Sequence, residues 1–561
     1  MSQMTGAEAM VRMLQRHGVK HIFGLCGDTS LPFYDALARL DHGMQHILTR
    51  DERSAAYMAD GYARVSGRVG VCEGPSGGGA TYLLPGIVEA NESSIPVLAI
   101  TTDISTNSRG RFALTELDQS GLYRPLTKRT EVIDRAADVP DAVRRAFRAM
   151  TTGRPGAAHL GLPFDVQNGK VPAKNVWGNA ELGVFPSSRT PPRRKTIARA
   201  ATLLAKAKLP IIVCGGGVII SGAEKELALL AEMLGAPVAT TVSGHGSLAD
   251  DHPLSLGVVG SNGGTLPTRE ALMKADLVVF VGCRAGSVTT ERWRYPAPGT
   301  KVIHIDADPK VPGTNYKTEA ALIGDAKLAL QALLDELGIT GDSSARGGEA
   351  LVRKAKHRKF SEFRALAARD DVPVLPERIV ATLNEILPRD ATLVCDPGTP
   401  CPYFSAYYEF PLAGRHFISN RAHGALGYSM AAAAGAHFGR PQTKTVSVMG
   451  DGSFGFTAGE LETIVRLKVP LLMVVISNSS YGWIKAGQKA GFGQRYFSVD
   501  FSRTDHAKVA GAFGLKAWRV ERPVDLKPAL VAAAELGAPA LVDIITQPLH
   551  EARAPVSEWV A

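Results

Sequence analysis

Two oxygen-bearing side chains in the last quarter of the chain stand where they could share one divalent cation. Asp451 comes one residue after a strand predicted at 444–449, and Asn478 directly follows the apolar run 470–477. A helix between two such strands makes a βαβ unit, whose parallel strands tend to be neighbours, so both residues would meet at the carboxyl edge of one sheet. Their oxygens are hard ligands of the kind that Mg²⁺ and Ca²⁺ prefer.

Glycines around Asp451 add a possible anion site to this cation chemistry. Gly450 and Gly452 flank the aspartate and Ser453 follows, so backbone amides can approach an anionic group with no Cβ atom in the way. A Gly-Asp-Gly turn alone is common where strands end. Combined with its spacing to Asn478, however, it predicts a diphosphate site bridged by a metal ion.

The elements that would hold these residues alternate between strand and helix along the whole chain. Strands are expected at residues 21–27, 45–50, 69–73, 96–101, 210–214, 237–242, 276–282, 301–306, 392–395, 444–449, 470–477 and 540–545. Helices are expected near residues 31–40, 52–65 and 79–91, and a capping box from Thr457 to Glu460 would open the helix after Asp451. This alternation predicts an α/β fold with three doubly wound parallel-sheet domains.

Two linkers divide the pattern. With 561 residues, the chain exceeds what one hydrophobic core can organise. A Pro-rich stretch at 186–194 marks the first linker, and the polar segment 339–349 begins the second. The predicted domains, with linker residues included, are residues 1–185, 186–345 and 346–561.

The composition is that of an ordinary globular protein, with 45% hydrophobic and 21% charged residues. No apolar run approaches the ~20 residues that span a bilayer, and the first residues lack the apolar stretch of a signal peptide. The six cysteines are spaced singly, which argues for a reducing compartment, here the cytoplasm, and against a zinc site or a disulfide framework. The net charge of +9 comes from scattered basic residues, so an anionic small ligand is expected rather than nucleic acid.

The segment from Gly450 to Gly482 resembles the thiamine diphosphate motif, which begins with Gly-Asp-Gly and ends in a pair of asparagines. In this chain Ser477 replaces the first asparagine and only Asn478 remains. The resemblance covers essentially the whole chain and is closest to the group of acetolactate synthase, benzoylformate decarboxylase and pyruvate decarboxylase. It implies pyrimidine-binding, central and diphosphate-binding domains in that order, with the backbone carbonyl of Ser480 completing the protein's share of a Mg²⁺ shell.

The same resemblance implies residues that hold and activate the cofactor. The segment 48–67 is similar to the one that carries the family's activating glutamate, which falls on Glu52, although a carboxylate in the first turn of a helix also suits the helix dipole. In the family this glutamate hydrogen-bonds the pyrimidine and promotes removal of the thiazolium proton. Leu426 falls where a bulky residue folds the two cofactor rings together, unless it is an ordinary core leucine. The implied cofactor contacts are Glu52, Thr399, Leu426, Gly450, Gly452, Ser453 and Tyr481.

The segment 24–37 resembles the family's first strand-to-helix loop, which would place Gly27 and Asp28 near the reacting carbon. Asp28 is then a candidate proton donor, or alternatively an N-cap. Two features of the related decarboxylases are missing: the loop 73–82 has no paired histidines, and Ile484 replaces a glutamate.

The segment 114–128 resembles the family's pocket segment, but Leu114 and Thr115 stand where acetolactate synthases have Phe-Gln. Its Glu-Leu-Asp-Gln, residues 116–119, resembles the branch of 2-hydroxyacyl-CoA lyase and oxalyl-CoA decarboxylase. The predicted substrate-pocket residues are Gly27, Leu114, Thr115, Trp483 and Ile484.

The central domain contains a glycine run at 214–222 and the segment Ile-His-Ile-Asp-Ala-Asp at 303–308, which suggest a nucleotide-binding fold. Flavin-binding relatives contact the flavin through Arg-Phe-Asp-Asp, whereas the matching segment here, 283–290, reads Cys-Arg-Ala-Gly-Ser-Val-Thr-Thr. We therefore expect a structural domain without FAD.

Taken together, the resemblance implies a thiamine-diphosphate-dependent 2-oxo acid decarboxylase or carboligase, similar to acetolactate synthase. The alternatives are a lyase of 2-hydroxyacyl-CoA or oxalyl-CoA type, with an acyl-CoA substrate, and a catalytically silent regulatory protein that binds the cofactor. Glu52 argues against the silent alternative. In relatives, the counterparts of Glu52 and Asp451 come from different subunits, so a homodimer or homotetramer with shared active sites is expected, with no nucleic-acid or membrane partner.

Overall fold

A computed structural model describes residues 3–340 and 347–559 of the chain. Three six-stranded parallel sheets organise the protein and helices pack on them, so the predicted α/β fold class is confirmed. The predicted boundary between residues 345 and 346, and most of the predicted second linker, lie outside the described residues. Within the described ranges, no helix is long and apolar enough to cross a membrane.

The N-terminal third of the chain contains eight strands, six of which form the first sheet. These strands are β1 (Gln3–Thr5), β2 (His21–Gly24), β3 (Gln45–Leu48), β4 (Gly70–Gly74), β5 (Val97–Asp103), β6 (Arg129–Val132), β7 (Ala158–Pro163) and β8 (Lys170–Pro172). The sheet order is β3-β2-β4-β5-β7-β6, while β1 pairs with β8 in a separate antiparallel ribbon. The strands β4, β5 and β7 are buried at every position, as strands covered on both faces must be.

Helices connect these strands. They are α1 (Gly6–Arg16), α2 (Leu31–Arg39), α3 (Glu52–Ser66), α4 (Gly78–Tyr82), α5 (Leu84–Glu92), α6 (Gln119–Tyr123), α7 (Val139–Thr151) and α8 (Phe164–Asn168). The helix expected near 79–91 is broken in two, because Pro85 in the first turn of α5 has no N–H with which to continue α4. The strand expected at 21–27 ends at Gly24, because the chain then turns into a 3-10 helix at Asp28–Ser30.

The second sheet lies in the central third of the chain. Its strands are β9 (Pro210–Cys214), β10 (Val238–Thr240), β11 (Ser255–Val258), β12 (Leu277–Val281), β13 (Lys301–Asp306) and β14 (Ala320–Ile323), and the helices are α9 (Arg194–Lys206), α10 (Gly216–Ser221), α11 (Glu224–Leu234), α12 (Leu266–Leu272), α13 (Ser287–Thr290) and α14 (Ala326–Thr340). The strand order is β11-β10-β9-β12-β13-β14. Alternate residues face different cores: Ile212 and Val279 join one, and Ile211 and Val278 the other.

The third sheet carries the Gly-Asp-Gly segment. Its strands are β15 (Thr392–Cys395), β16 (Phe417–Ser419), β17 (Thr445–Gly450), β18 (Leu472–Ser477), β19 (Lys516–Val520) and β20 (Ala540–Ile545), and the helices of this region are α15 (Gly348–Ala367), α16 (Pro376–Ile386), α17 (Pro400–Tyr407), α18 (Tyr428–Gly439), α19 (Asp451–Thr457), α20 (Leu461–Arg466), α21 (Gly482–Gly491), α22 (His506–Ala512) and α23 (Pro523–Glu535). The order β16-β15-β17-β18-β20-β19 repeats that of the first sheet when each sheet is numbered from its own first strand.

Contacts divide the chain into two compact units. Unit 1 comprises Met1–Ser188, Asn420–Gln442 and Thr457–Val469, and unit 2 comprises Arg189–Ser419, Thr443–Phe456 and Pro470–Ala561. The helices α18 and α20, which lie between strands of the third sheet in sequence, therefore belong to unit 1. The domain boundaries expected from the linkers stay a prediction.

The predicted capping box is wrong. Thr457 makes no side-chain cap bond, and a 3-10 turn at Ala458–Glu460 precedes α20. The Glu460 carboxylate has other partners in unit 1. Its Oε1 accepts the backbone N–H of Arg50 at 2.8 Å, and its Oε2 accepts a hydrogen bond from the Thr463 hydroxyl at 2.7 Å. A tertiary partner thus replaces the local reciprocal bond that the pattern indicates.

Helices α3 and α18 pack backbone against backbone within unit 1. A Cβ atom on Gly61 would lie 2.1 Å from the carbonyl oxygen of Ala432, and one on Gly435 would lie 1.9 Å from that of Met58. Only glycine permits this approach. The contact holds the start of α18, and with it the loop that carries Leu426, in unit 1 together with Glu52.

Candidate active site

Asp451 lies where β17 ends and α19 begins, and it contacts the loop that leaves the next strand. The parallel register pairs Gly450 with Ile476. Asp451 Oδ2 accepts the backbone N–H groups of Asn478 at 2.9 Å and Ser479 at 2.6 Å, and Oδ1 accepts its neighbour's N–H at 2.9 Å. The structure therefore brings Asp451 and Asn478 together at the carboxyl edge of the third sheet.

The electrostatic setting of Asp451 favours a cation. The side chain is buried, and burial raises its pKa, although three backbone N–H bonds act in the opposite direction. In the described part of the chain no lysine or arginine forms an ion pair with it. An unpaired buried carboxylate is costly, and a bound divalent cation would remove that cost.

The neighbouring oxygens complete a donor set suited to such an ion. Asn478 Oδ1 points back over the loop, where the backbone N–H of Ser480 at 3.2 Å and its hydroxyl at 3.1 Å donate to it. Across the described residues, no group of three or more His, Cys, Asp or Glu side chains could hold a metal. A site here would therefore use one carboxylate, an amide oxygen and a backbone carbonyl, all of them hard donors.

Glycines leave room around this loop. A Cβ atom on Gly452 would lie 2.9 Å from the ring of Tyr481, whereas one on Gly450 would meet nothing within 4 Å. A Cβ on Gly482 would lie 3.2 Å from the Thr399 hydroxyl and 3.3 Å from Asn478 Nδ2. Thr399 and Tyr481, two of the residues expected to contact the cofactor, thus lie close to the loop of residues 478–482, with Thr399 buried and Tyr481 exposed.

Ser477 has partners that the sequence did not reveal. Its hydroxyl donates to Asp543 Oδ1 at 2.5 Å and bonds His506 Nδ1 at 3.1 Å. Asp543 Oδ2 also accepts the backbone N–H of His506 and an N–H of Arg519, each at 3.1 Å. A carboxylate inside the apolar strand 540–545 was the signal that could have drawn attention to this cluster.

The two predicted pocket residues on α21 differ in their surroundings. Trp483 is partly buried against the core of the third sheet, and its ring lies 5.1 Å from that of Trp559. Ile484 is 55% exposed. Packing therefore holds Trp483 in place, while Ile484 is free to contact another molecule.

In unit 1, Glu52 is the first residue of α3. Asp51 caps this helix, with its side chain accepting the N–H of Arg53 at 2.7 Å, so the cap does not depend on Glu52. Glu52 is only 7% exposed, and burial raises its pKa. A Cβ atom on Gly79 would lie 3.0 Å from Glu52 Oε1, so that glycine makes room for the carboxylate.

The loop of Gly27 and Asp28 packs on the loop after β4. A Cβ atom on Gly27 would lie 2.5 Å from Pro75 Cβ, which requires glycine at this position. Asp28 is exposed and is the first residue of its 3-10 helix. The N-cap alternative for Asp28 is wrong, because Gly27 occupies that position and Ser30 occupies it for α2.

The segment around Leu114 and Thr115 lies at the surface of unit 1. Leu114 is 88% exposed, and Thr115 has a φ of 68° and bonds the Ser76 hydroxyl at 2.7 Å. By contrast, Gln119 is buried, with its Oε1 accepting the Thr101 hydroxyl at 2.5 Å and its Nε2 donating to a backbone carbonyl at 2.9 Å. The last residue of the Glu-Leu-Asp-Gln stretch therefore serves the fold.

Leu426 is half-buried and lies outside the hydrophobic core cluster on one face of the first sheet. Its loop is tied at two points. Asn420 Nδ2 donates to the Ala425 carbonyl at 2.6 Å, and the backbone N–H of His423 donates to Glu89 Oε2 at 2.7 Å. The buried Arg64 pairs with Glu89 at 3.0 Å and completes the support.

The glycine run of the central sheet serves packing. A Cβ atom on Gly215 would lie 2.2 Å from the carbonyl oxygen of Gly282, and one on Gly217 would lie 2.6 Å from its Cα. The run therefore lets α10 approach the loop after β12. The expectation that no FAD binds there stays a prediction.

Three family models match the chain in succession. Residues 4–122 match the N-terminal TPP binding domain of thiamine pyrophosphate enzymes, residues 197–333 match the central domain, and residues 396–544 match the C-terminal TPP binding domain. These matches contain Glu52, Asp451 and Asn478.

Curated relatives match over nearly the full length. A probable acetolactate synthase large subunit of Methanocaldococcus jannaschii is 37% identical over 562 residues, which is 97% of this chain and 92% of that protein. The acetolactate synthase of Mycobacterium bovis is 33% identical over 97% of this chain and 88% of its own length. The acetolactate synthase large subunit of Corynebacterium glutamicum is 32% identical, with 97% and 87% covered.

Proposed function

Because the chain belongs to the thiamine pyrophosphate enzyme family and is an acetolactate synthase-like enzyme, we propose that it decarboxylates a 2-oxo acid and joins the remaining acyl unit to a second carbonyl compound. The observation that carries this proposal is the buried Glu52 carboxyl group at the start of α3. Burial raises the pKa of this carboxyl group, and a raised pKa suits a residue that exchanges protons with a bound cofactor.

The diphosphate end of the cofactor is assigned to unit 2. We assign a Mg²⁺ ion to the Asp451 carboxylate, the Asn478 amide oxygen and the Ser480 carbonyl, and diphosphate contacts to Thr399, Gly450, Gly452, Ser453 and Tyr481. The support for this assignment is the buried carboxylate without a cationic partner among the described residues and the open space beside Gly450. When bound, thiamine diphosphate supplies a nucleophilic thiazolium carbon and a cationic ring that takes up the electron pair released by decarboxylation.

The pyrimidine end is assigned to unit 1. Glu52 would hold a proton on its carboxyl group and exchange it with a pyrimidine ring nitrogen. Leu426, on its tied loop, would support the fold between the two cofactor rings. Asp28 is exposed in the loop that it shares with Gly27, which keeps it available as a proton donor to the substrate.

We further propose a homodimer, or a homotetramer built from dimers, in which each site combines unit 1 of one subunit with unit 2 of the other. Each unit has apolar side chains that a partner would cover. In unit 1, Phe112 is 101% and Leu114 88% exposed, and in unit 2, Phe497 is 83% exposed. A contiguous exposed apolar patch marks a surface that binds another protein, and these side chains are the candidates for such a patch in each unit.

The compartment proposed for this enzyme is the cytoplasm. All six cysteines are free thiols, five of them buried, as expected of a protein that folds where thiols stay reduced. The acyl-CoA alternative has less support, since Gln119 of its motif is satisfied inside unit 1.

A direct assay tests the proposed reaction. The protein, supplied with thiamine diphosphate and Mg²⁺, is offered a panel of 2-oxo acids and an acyl-CoA thioester, while released CO₂ and coupled products are followed by NMR. We expect CO₂ and a carboligation product from a 2-oxo acid, and neither with Glu52→Gln. Turnover of the thioester alone would overturn the substrate assignment.

A further inference from the structure

A second carboxyl group, Glu73, is buried in the centre of unit 1. It lies on β4 with no exposed surface, and its hydrogen-bond partners are hydroxyl groups. The Ser30 hydroxyl oxygen lies 2.6 Å from Oε1 and the Tyr34 hydroxyl oxygen lies 2.7 Å from Oε2, both within hydrogen-bond distance. No lysine or arginine of the described chain forms an ion pair with Glu73, so nothing cationic balances a charge there.

Hydroxyl groups connect Glu73 to the surface. From Ser30 the hydrogen bonds continue to Thr102 at 3.1 Å and from Thr102 to Thr29 at 2.8 Å. Thr29 then bonds Ser76 at 3.1 Å, and Ser76 bonds Thr115 at 2.7 Å. Ser30, Thr102 and Ser76 are buried and Thr115 is exposed, so the row crosses from the interior to the predicted pocket segment.

Each hydroxyl both donates and accepts a hydrogen bond, so a row of them can reverse its direction when the groups rotate. The end group must then be able to hold or release a proton. Burial, assisted by the nearby Glu52, raises the pKa of Glu73 to about 8. Glu73 is therefore a neutral acid at pH 7 that can still lose its proton.

We propose that Glu73 and the five hydroxyls of Ser30, Thr102, Thr29, Ser76 and Thr115 form a proton path between the interior of unit 1 and the carbonyl substrate. This inference rests on the proposed carboligation. The Glu73 carboxyl proton passes to Ser30, each hydroxyl accepts one proton and gives up its own, and Thr115 donates to the substrate oxygen as that oxygen becomes a hydroxyl. Glu73 is left as a carboxylate, and the reverse movement restores it when the product gives up a proton.

Other ionisable groups face Glu73 from the surrounding elements. They are Glu52 on α3, Tyr34 on α2, His46 on β3, Cys26 after β2 and the adjacent Cys72. Burial lowers the pKa of His46 to about 4 and raises those of the tyrosine and both thiols, so these four stay uncharged near neutral pH. Glu73 does not touch the reacting atoms. It acts through the hydroxyl row, by holding the proton at the inner end of the path.

The first test needs no substrate. In the cofactor-free protein, the infrared band of a protonated carboxyl group should disappear with a midpoint near pH 8 and be absent in Glu73→Gln. After a pH jump, loss of this band should be at least ~10-fold slower in Thr102→Val than in wild type. Thr101→Val is the matched control, because that neighbouring hydroxyl is equally buried but bonds Gln119 and His159 instead. Thr102→Ser should restore the fast release.

The second test follows turnover. We expect Thr102→Val and Glu73→Gln each to lower kcat by ~10²-fold with little change in KM and to remove the same pH-dependent limb, and the double variant to be no slower than either. Thr101→Val should keep the wild-type pH profile. Should Thr102→Val fail to fold, Ser76→Ala interrupts the row closer to the surface.

Three results would overturn the path: Glu73 ionised at pH 7, equal release rates in Thr102→Val and Thr101→Val, or additive losses in the double variant. Absence of any carboligation would instead refute the proposed function. The infrared measurement would then be the only test of proton release from Glu73.

Discussion

The Ser477 hydroxyl donates to Asp543 Oδ1 at 2.5 Å across the neighbouring strands β18 and β20. Ser477 precedes Asn478, so this bond holds the end of the strand from which the proposed metal ligands emerge. The carboxylate is fully buried and also accepts from Arg519 at 3.1 Å. The loop that follows β18 is therefore held in place by Asp543, a residue distant from it in sequence.

We expect Ser477→Ala to loosen this loop. The variant leaves a buried oxygen of Asp543 with one donor fewer, which typically costs about 1–3 kcal/mol, and thiamine diphosphate should bind more weakly. Thermal unfolding and calorimetry measure the two effects. Thr392→Val is the control, since that buried hydroxyl in the third sheet has no hydrogen-bond partner among the residues that the structure describes. Equal losses in both variants would contradict the anchor.

The metal site makes a simpler prediction. Asp451→Ala or Asn478→Ala should abolish retention of thiamine diphosphate, because the diphosphate then faces no bridging cation. Removal of Mg²⁺ from the wild type with a chelator should have the same effect. Asp525→Ala, which removes an exposed carboxylate paired with Arg522 at 3.0 Å, should bind like wild type in calorimetry. Unchanged affinity in the first two variants would refute the assignment.

Glu52→Gln should separate binding from activation. The diphosphate dominates binding, so the cofactor should still be retained, while hydrogen–deuterium exchange at its reactive carbon should slow by ~10²–10⁴-fold. NMR follows this exchange directly. Asp35→Asn removes an exposed carboxylate of unit 1 that pairs with Arg39 at 2.7 Å, and it should leave the exchange rate close to that of wild type. A Glu52→Gln protein with normal exchange would make Glu52 merely a residue at the start of a helix.

Glu73 should make the stability of the cofactor-free protein depend on pH. Its pKa is about 8 in the folded state, against an ordinary value of 4.5. The folded state therefore holds the proton more tightly than the unfolded state. The resulting contribution to the free energy of unfolding is complete below pH 4.5 and is lost as the pH rises towards 8, by about 1.4 kcal/mol per pH unit. In Glu73→Gln this slope should be absent, as thermal midpoints measured between pH 5 and pH 9 would reveal. Parallel curves for the two proteins would exclude a buried neutral acid.

Subunit exchange tests the shared site. When inactive Glu52→Gln protein is mixed with inactive Asp451→Ala protein, a heterodimer would contain one doubly damaged site and one intact site. Activity should therefore return after exchange. Each variant mixed with itself serves as the control. Thoroughly exchanged mixtures that stay inactive, or an active monomer in sedimentation, would rule out sites built from two chains.

Much of the fold follows from local sequence. The strands expected at 210–214, 301–306, 392–395 and 540–545 have those bounds in the structure. A run of apolar residues that is buried on both faces is a strong local signal, and the strand ends in a βαβ unit must share one edge. The meeting of Asp451 with the loop of Asn478 could therefore be foreseen from spacing alone.

Three features of the fold could not be predicted from local sequence. The edge strands β11 and β16 were not expected, because runs of four and three residues are too short to show a period. The capping-box pattern at Thr457 failed because Glu460 found the backbone of Arg50 instead. The first and third sheets share one strand order although the sequence shows no corresponding repeat.

The contacts within the site were decided by tertiary structure. Ser477 meets Asp543, and Glu73 meets Ser30, only because a particular strand order places them side by side. A buried carboxyl group is stable only beside donors that replace its lost water, and those donors come from distant parts of the chain. The sequence alone could predict which residues can carry charge and protons, whereas which of them exchange hydrogen bonds depended on how the strands pack.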